Sequence, residues 1–480
     1  MRSPFTALRR PITAAVLSFL SLSAPAALRA QTAIPNDTAL QATQLRKDAM
    51  NGTKAFEIVR SLTVEAGPRP AGSKALNDAV AWGLRTMKEL GFSNVRAEKV
   101  TVPHWVRGQE SGEIVAPYPQ PVVLAALGGS VGTPEKGIEA QVIEVPSLDA
   151  VDKLDPAQVK GKIVFYNVKM ERAKDGSGYG RAVGVRGAGA SRAAKLGAVA
   201  VLIRSIGTDN NRTPHTGAMR YQDGIAKIPA AALSIPDAEM LAAQIASKKP
   251  VTFRLKLGAR MLPDVETANV VGEIPGREKP EEIVLLGCHL DSWDLGTGAI
   301  DDGAGCAIMM EAARRIGQLP VKPRRTVRVV LFANEEFGLS GAKAYAEVHK
   351  AELPRHVMAG ESDFGAAKVY ELSSRVDAGS LLGPVAEIAG IIAPLGISQG
   401  DNDSEGGADL TPMAPAQVPI LALAQDGTYY FDFHHTSNDT LDKINPTMLD
   451  QNVAAWVAVA YAVADMPGTL GRPPVPAPRQ

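Results

Sequence analysis

Residues 282–303 read EIVLLGCHLDSWDLGTGAIDDG, an apolar run that ends at a histidine and several acidic side chains. The first part of the stretch is continuously apolar, which is typical of a strand buried on both faces of a parallel sheet. His289 and Asp291 follow this strand at once, and Asp301 comes ten residues after Asp291. Ligands of open α/β sheets collect beyond the carboxyl ends of the strands. The stretch therefore predicts a buried central strand and a functional site at its end.

The chain from residue 264 onward alternates between apolar strands and helical patterns. Further strands are predicted at 326–333, 356–361 and 418–424, and helices at 303–316, 340–349, 378–393 and 447–466. Such alternation indicates an α/β fold with a mostly parallel sheet covered by helices on both faces. Two helical patterns within 54–92 and a strand at 93–106 precede this region, and residues 31–52 are predicted to form a solvated lead-in helix.

Residues 108–262 have a different character and are interpreted as an inserted α+β domain. Short β-rich runs recur there, together with two helices near 191–196 and 236–247 and a polar, Gly-rich loop at 174–190. The catalytic domain is therefore predicted in two parts, 31–107 and 263–470, followed by a disordered Pro-rich tail at 471–480.

The N-terminus has the features of a secretory signal peptide, predicted over residues 1–30. Basic residues precede an apolar stretch that is too short to span a bilayer, and small-residue cleavage sites follow it. A secreted or periplasmic protein is expected, with an uncleaved anchor as the alternative. No later segment is predicted to cross a membrane.

The balanced charge of the chain argues against binding to nucleic acid or to an anionic membrane surface. Lys plus Arg equals Asp plus Glu at 51 each, so no global field favours nucleic acid or an anionic membrane. The two cysteines, Cys288 and Cys306, are interpreted as small buried hydrophobes in preference to a disulfide, and less readily as zinc ligands. His349 and His356, at a predicted helix end and strand start, are interpreted as structural.

Side chains suited to a divalent metal follow several predicted strands. They are His289, Asp301, Glu335, Glu336, Asp363 and His435. Zinc binds imidazole and carboxylate readily, and a bridging carboxylate can hold two metals that share one activated water. One of the adjacent Glu335 and Glu336 can bind metal while the other stays free as a proton shuttle. These donors do not distinguish zinc from cobalt or manganese.

The order of these motifs resembles the co-catalytic zinc exopeptidases, the family that includes bacterial secreted leucyl aminopeptidases and glutamate carboxypeptidase. The closer likeness is to the carboxypeptidase Q group. The stretches that carry the likeness are Gly67–Ser73, Pro103–Trp105, His289–Asp294, Asp301–Gly303, Glu335–Glu336, Glu361–Asp363 and Phe433–His435, with Val159–Ile163, Pro214–Gly217 and Tyr221–Gly224 in the insert. The likeness covers nearly all of the chain after the signal peptide.

The resemblance implies two zinc ions and a role for each matched residue. His289, Asp301 and Asp363 would hold one zinc, and Asp301, Glu336 and His435 the other, with Asp301 as the bridge. Glu335 would be the general base for a metal-bridging water, and His434 stands where several relatives have a Tyr that stabilises the tetrahedral intermediate. Asp291 would orient the His289 ring and Asp439 the His435 ring.

The resemblance further implies a cis peptide between Asp301 and Asp302, a protease-associated domain in the insert, and a homodimer. No counterpart of the basic cluster that binds glutamate carboxylates is found, so glutamate specificity is not supported. Arg204, His215 and Tyr221 are candidates for binding a substrate terminus, with an ordinary surface loop as the alternative.

These observations predict a secreted di-zinc exopeptidase that acts on dipeptides or short peptides. An aminopeptidase with the same metals is the near alternative, and the requirement for a free C-terminus distinguishes the two. A non-catalytic receptor-like protein is a weaker alternative, because all five ligands and the base that the resemblance implies are present. An N-acyl amino acid hydrolase is a further alternative, since its metal chemistry would be identical and only the pocket would differ.

Overall fold

The structure is a computed structural model, and it describes residues 33–474. The predicted signal peptide lies outside the described residues, as do residues 475–480. The described chain contains two eight-stranded sheets. The segment that forms the second sheet is inserted in the sequence between the first two strands of the other sheet.

The helices and strands follow one another along the chain in three parts. The first part contains α1 (Asn36–Ala49), α2 (Ala55–Glu65), α3 (Lys74–Glu89) and β1 (Ser93–Val106). The middle part contains β2 (Glu110–Ala116), β3 (Gln120–Val122), β4 (Leu124–Ala126), β5 (Ile138–Val145), α4 (Leu148–Asp152), α5 (Pro156–Val159), β6 (Ile163–Tyr166), α6 (Ser177–Ala182), α7 (Gly184–Lys195), β7 (Ala200–Arg204), β8 (Ala230–Leu233), α8 (Ile235–Ala246) and β9 (Thr252–Leu257). The last part contains β10 (Arg260–Ile274), β11 (Lys279–His289), α9 (Ala304–Gly317), β12 (Arg325–Phe332), α10 (Ser340–Val348), β13 (His356–Glu361), β14 (Val369–Arg375), α11 (Ala386–Ile392), β15 (Ser398–Gln399), β16 (Ile420–Gln425) and α12 (Pro446–Asp465).

The sheet of the predicted catalytic domain, called the catalytic sheet below, has the order β1-β10-β12-β11-β13-β16-β14-β15. Its four central strands, from β12 to β16, are parallel, while β1, β10 and β14 pair in antiparallel fashion. Alternate residues of β11 enter two different cores: Val284 and Leu286 face α9 and α12, and Ile283 and Leu285 face α10. Both faces of the sheet are therefore covered, as its apolar sequence predicts.

The insert sheet has the order β3-β2-β9-β5-β6-β7-β8-β4, with a parallel centre from β5 to β8. Its strands lie at residues 110–257, and β2 was not predicted. The interpretation of 108–262 as a protease-associated domain stays a prediction. The loop predicted at 174–190 is mostly helical instead, because α6 and the start of α7 occupy it.

Helix α1 and the C-terminal residues differ from the sequence expectation. Helix α1 is not solvated on all sides: Ala42, Leu45 and Ala49 are buried, and Thr38 Oγ1 donates to Asp465 Oδ2 of α12 at 2.7 Å. Arg472, which falls in the predicted disordered tail, donates to the carbonyls of Ala416 and Gln417 at 2.7 and 3.0 Å.

The segment Ala378–Leu395 is long and apolar enough to cross a membrane by length and composition alone, contrary to the expectation for the chain after residue 30. Non-helical dihedrals at Gly383, followed by Pro384, break it into short helical pieces. Val385, Ile388 and Ile392 belong to the core of the catalytic sheet.

The cysteines form a disulfide between the end of β11 and the first turn of α9, with the Cα atoms 5.1 Å apart. The preferred interpretation of two free buried thiols was therefore wrong. The loop between the strand and the helix folds back on itself, so residues 18 apart in sequence become neighbours.

Candidate active site

The predicted metal residues converge at the carboxyl end of the catalytic sheet. His289 is the last residue of β11, Glu335 and Glu336 follow β12, Asp363 follows β13, and His435 lies in the loop after β16. Parallel central strands bring these ends to one edge of the sheet. Asp301 joins them from the turn Ala299–Gly303 that precedes α9, and the peptide between Asp301 and Asp302 is cis.

The carboxylate of Asp301 lies between two imidazoles. Its Oδ1 is 3.0 Å from His289 Nε2, and its Oδ2 is 3.3 Å from His435 Nε2. Asp363 Oδ1 approaches the same nitrogen of His289 at 3.4 Å, and Glu336 Oε2 approaches the same nitrogen of His435 at 2.9 Å. The five side chains thus form two clusters that share Asp301.

These clusters suit cations. Asp301 Oδ2 and Glu336 Oε1 are buried and have no hydrogen-bond partner among the described residues. A buried carboxylate oxygen without a partner is costly, and a divalent metal would satisfy both. Imidazole and carboxylate are the nitrogen and oxygen ligands that zinc accepts. The residues therefore fit zinc.

Neighbouring groups hold the predicted metal-binding side chains in place. His289 Nδ1 lies 3.0 Å from the Asp291 carbonyl and 3.6 Å from its carboxylate, and Asp291 Oδ1 also accepts the Glu335 N–H at 3.0 Å. Asp439 does not contact the His435 ring, contrary to expectation. It accepts hydrogen bonds from the backbone N–H groups of Ile300 and Asp301 at 2.6 and 3.2 Å, and so holds Asp301 in place. His435 Nδ1 instead faces the carbonyl of Thr216 at 3.2 Å.

The pKa values of the Asp301 and Glu335 carboxyl groups are shifted in opposite directions. Burial opposes ionisation of Asp301, but the nearby imidazoles of His289 and His435 outweigh it and hold the pKa of this carboxyl well below its usual range. Burial raises the pKa of Glu335 well above its usual range, against the opposing charge of His289. A carboxyl with a raised pKa is suited to proton transfer near neutral pH.

His434 stacks on His435 with ring centroids 3.5 Å apart, and its Nε2 lies 3.7 Å from Asp301 Oδ2. Burial lowers its pKa well below the usual range, and the positive charge of His435 adds to this effect. Its Nδ1 is buried without a hydrogen-bond partner in the described chain. The ring is therefore a neutral polar group beside the clusters.

A cavity of about 530 Å³ opens over the two clusters. Its acidic wall comes from the catalytic domain, and its other wall includes Tyr179, Arg186, Met219 and Arg220 of the insert. The aromatic side chains of Phe364, Tyr430 and Phe431 also line it. The insert therefore borders the site directly.

The insert residues chosen from the sequence do not line this cavity. Arg204 Nη1 pairs with Glu239 at 2.7 Å. The Tyr221 hydroxyl donates to the Ile228 carbonyl at 2.7 Å, and its side chain borders a separate cavity. His215 is 1% exposed and lies between Asp209 and the carbonyl of His434, at 2.9 and 2.8 Å. It supports His434 from behind, out of reach of a substrate.

Sequence reasoning missed Arg186, which the structure places in the cavity wall. The side chain is buried, and no carboxylate within residues 33–474 forms an ion pair with it. Its Nη2 donates to the Tyr179 hydroxyl at 2.6 Å, its Nη1 is 3.5 Å from His435 Nδ1, and its Nε has no partner in that range. Arg186 lies in the Gly-rich segment that was predicted as a loop, where no local pattern marks one arginine over another.

The chain is similar to several known peptidases. A family model described as Peptidase family M28 matches residues 269–460. Carboxypeptidase Q of Mus musculus is 37% identical over 419 residues, which cover 87% of each chain. The crystal structure of a peptidase M28 precursor from Shewanella amazonensis is 46% identical, with a TM-score of 0.90 over 91% of this chain and 99% of that one. BSAP, a zinc aminopeptidase from Bacillus subtilis, shares the fold at 21% identity, with a TM-score of 0.62 over 86% and 94% of the two chains.

Proposed function

Because this chain belongs to peptidase family M28, we propose that it hydrolyses dipeptides or short peptides with two zinc ions that share one carboxylate. It is a zinc metallopeptidase that acts on peptides, as its relatives indicate. The observation that carries the proposal is the position of Asp301, whose two oxygens face the Nε2 atoms of His289 and His435 at 3.0 and 3.3 Å.

We assign the five ligands as follows. His289, Asp301 and Asp363 would hold one zinc, and Asp301, Glu336 and His435 the other. When bound, the pair would activate a water and polarise the scissile carbonyl. Two imidazoles and three carboxylates in a buried site provide the charge balance that such a pair requires.

Side chains of the protein would carry out the proton transfer and stabilise the developing charge. Glu335, whose carboxyl is buried next to the ligands, would take a proton from the water and return it to the leaving amine. His434, held neutral by burial, would donate a hydrogen bond to the negative charge that develops on the carbonyl oxygen. Asp291 supports both His289 and Glu335, so it fixes a ligand and the base relative to each other.

Arg186 supports the preference for substrates with a free C-terminus. It is a buried cation in the wall of an acidic cavity, and no internal carboxylate satisfies it within residues 33–474. A substrate carboxylate would provide that partner through charge-assisted hydrogen bonds. We therefore assign recognition of the substrate C-terminus to Arg186 in place of Arg204 and Tyr221, with the insert acting as a protease-associated domain.

An aminopeptidase is the second candidate. Glu335, Glu336 and Asp363 line the cavity and would attract an N-terminal ammonium group. This acidic wall is compatible with a dipeptidase, which reads both termini, and with an aminopeptidase, which reads one.

Hydrolysis of one dipeptide in three forms, free, N-acetylated and C-amidated, distinguishes the candidates. The proposal predicts that the zinc-loaded protein cleaves the free form and neither blocked form at a comparable rate. Equal cleavage of the amide would establish an aminopeptidase, and cleavage of the acetylated form alone would favour an N-acyl amino acid hydrolase. We also propose that the protein is exported, which the processed N-terminus of the secreted protein would test.

A further inference from the structure

Trp293 belongs to two parts of the molecule at once. It lies in the loop between His289 and Asp301 of the catalytic domain, yet its ring lies in the hydrophobic core of the insert, beside Trp105. The ring centroids of Trp105 and Phe337 are each 6.3 Å away, in edge-on contacts. Its only polar side-chain atom, Nε1, points out of this apolar cluster and donates to Glu336 Oε2 at 2.5 Å.

That hydrogen bond fixes the orientation of a proposed zinc ligand. Glu336 Oε2 also faces His435 Nε2 at 2.9 Å, whereas Oε1 has no partner in the described chain. The Trp293 ring is itself 5.7 Å from the His435 ring. Groups that orient ligands from outside usually affect metal affinity about 10- to 100-fold.

The position of the indole depends on the insert. A Cβ atom built at Gly128, between β4 and β5, would lie 2.0 Å from the Trp293 ring, so the indole packs directly on the insert backbone. A second link lies beside it, where Arg107 pairs with the neighbouring Asp294 at 2.6 Å and donates to the Ala126 carbonyl at 2.6 Å. The insert core therefore determines where the Trp293 N–H can point.

We infer that Trp293 is a positioning residue through which the insert sets the zinc affinity of the Asp301–Glu336–His435 cluster. The inference rests on the proposed assignment of Glu336 as a ligand. It gives the insert a second role besides lining the cavity: changes in the insert that displace the indole of Trp293 alter metal binding at one cluster and leave the His289–Asp363 cluster unchanged.

The test is zinc binding by the full chain, measured by competition with a chromophoric chelator in wild type, Trp293→Phe and Trp105→Phe. Phe keeps an aromatic ring and removes the N–H. Trp105 is the matched control because it lies in the same cluster, but its Nε1 donates to the Ser130 carbonyl at 3.0 Å. Trp293→Phe should weaken one of two zinc sites by about 10- to 100-fold, and Trp105→Phe should weaken neither.

Gly128→Ala tests the same inference without touching the loop, since the added methyl group must displace the indole. Gly180→Ala, which has no atom within 4 Å of its Cβ position, is its control. Gly128→Ala should weaken the same single zinc site, while Gly180→Ala binds both ions normally. Circular dichroism of each metal-free variant reports whether the fold is retained.

The outcomes separate this inference from the proposed function. If Glu336→Gln loses one zinc and Trp293→Phe binds both with wild-type affinity, the ligand assignment stands and the role of Trp293 is refuted. Equal losses in Trp293→Phe and Trp105→Phe would also refute it, because aromatic packing alone would explain them. If wild type binds a single zinc, or Glu336→Gln keeps both, the proposed function fails first and the inference fails with it.

Discussion

Replacing Arg186 with Met should convert a selective peptidase into one that is indifferent to the substrate C-terminus. Met has a similar length without the charge. The guanidinium lies in the cavity wall, and its one short hydrogen bond is to the Tyr179 hydroxyl at 2.6 Å. A substrate carboxylate would therefore be its first ionic partner.

The magnitude follows from the charge of both groups. A hydrogen bond that involves charged groups contributes about 1.5 to 3 kcal/mol. Because about 1.4 kcal/mol corresponds to a tenfold change, kcat/KM for the free dipeptide should fall by about 10- to 150-fold. The C-amidated dipeptide lacks the carboxylate, so its kcat/KM should change little, and its inhibition constant can replace kcat/KM where turnover is slow.

The control is Arg192→Met on the same helix, since Arg192 is partly exposed and pairs with Asp152 on the surface. This variant should keep wild-type selectivity. Arg186 Nη1 also lies 3.5 Å from His435 Nδ1, so the guanidinium could act on the metal ligand instead. An equal loss on the free and amidated substrates would show that action and would refute carboxylate recognition.

Three other outcomes are expected. Glu335→Gln should bind both zinc ions and lose about 10²- to 10⁴-fold in kcat, because only proton transfer is removed; wild-type turnover would contradict the assignment of the base. Replacing both cysteines of the Cys288–Cys306 disulfide with Ala should lower the free energy of unfolding by about 3 kcal/mol for a loop of this length, measured by guanidinium denaturation; an unchanged midpoint would refute the contribution of the bridge. Burial, with the charge of Arg328 adding to it, lowers the pKa of His356 to about 4. An unfolded His has a pKa of about 6.5, so the unfolded chain binds more protons between these values and stability should fall as the pH drops through this window, by up to about 3 kcal/mol. In urea denaturation at pH 7 and pH 5, His356→Gln should lose less stability than wild type, and equal losses would contradict the expected sign.

Local patterns were sufficient for much of the fold. The apolar run before His289 predicts β11, and the helical patterns at 340–349 and 447–466 predict α10 and α12 close to their bounds. The prediction was wrong where local composition and tertiary packing favoured different structures. The Gly-rich composition of 174–190 favoured a loop, but tertiary packing of Val185 and Ala190 on the insert sheet stabilises a helix there.

Residues that act through distant contacts could not be assigned from their neighbours in sequence. Asp439 was expected to support His435, yet it holds the backbone of Ile300 and Asp301 across the loop. The disulfide likewise depends on the path of the chain between its two cysteines, which spacing alone does not determine. A hydrogen-bond partner is a matter of three-dimensional proximity, whereas the sequence specifies only the type of donor or acceptor.

Hydrophobic period and residue chemistry are local properties, so the amino-acid sequence was enough to predict the order of strands and helices and the side chains available to hold metal. Which of those groups meet depended on the folded chain. Folding brought Arg186 from the insert to the wall of the cavity, turned Asp439 toward the bridging residue, and aimed the Trp293 N–H at Glu336. Each of these depends on how the insert sheet and the catalytic sheet pack together, which is a sum of many weak long-range contacts.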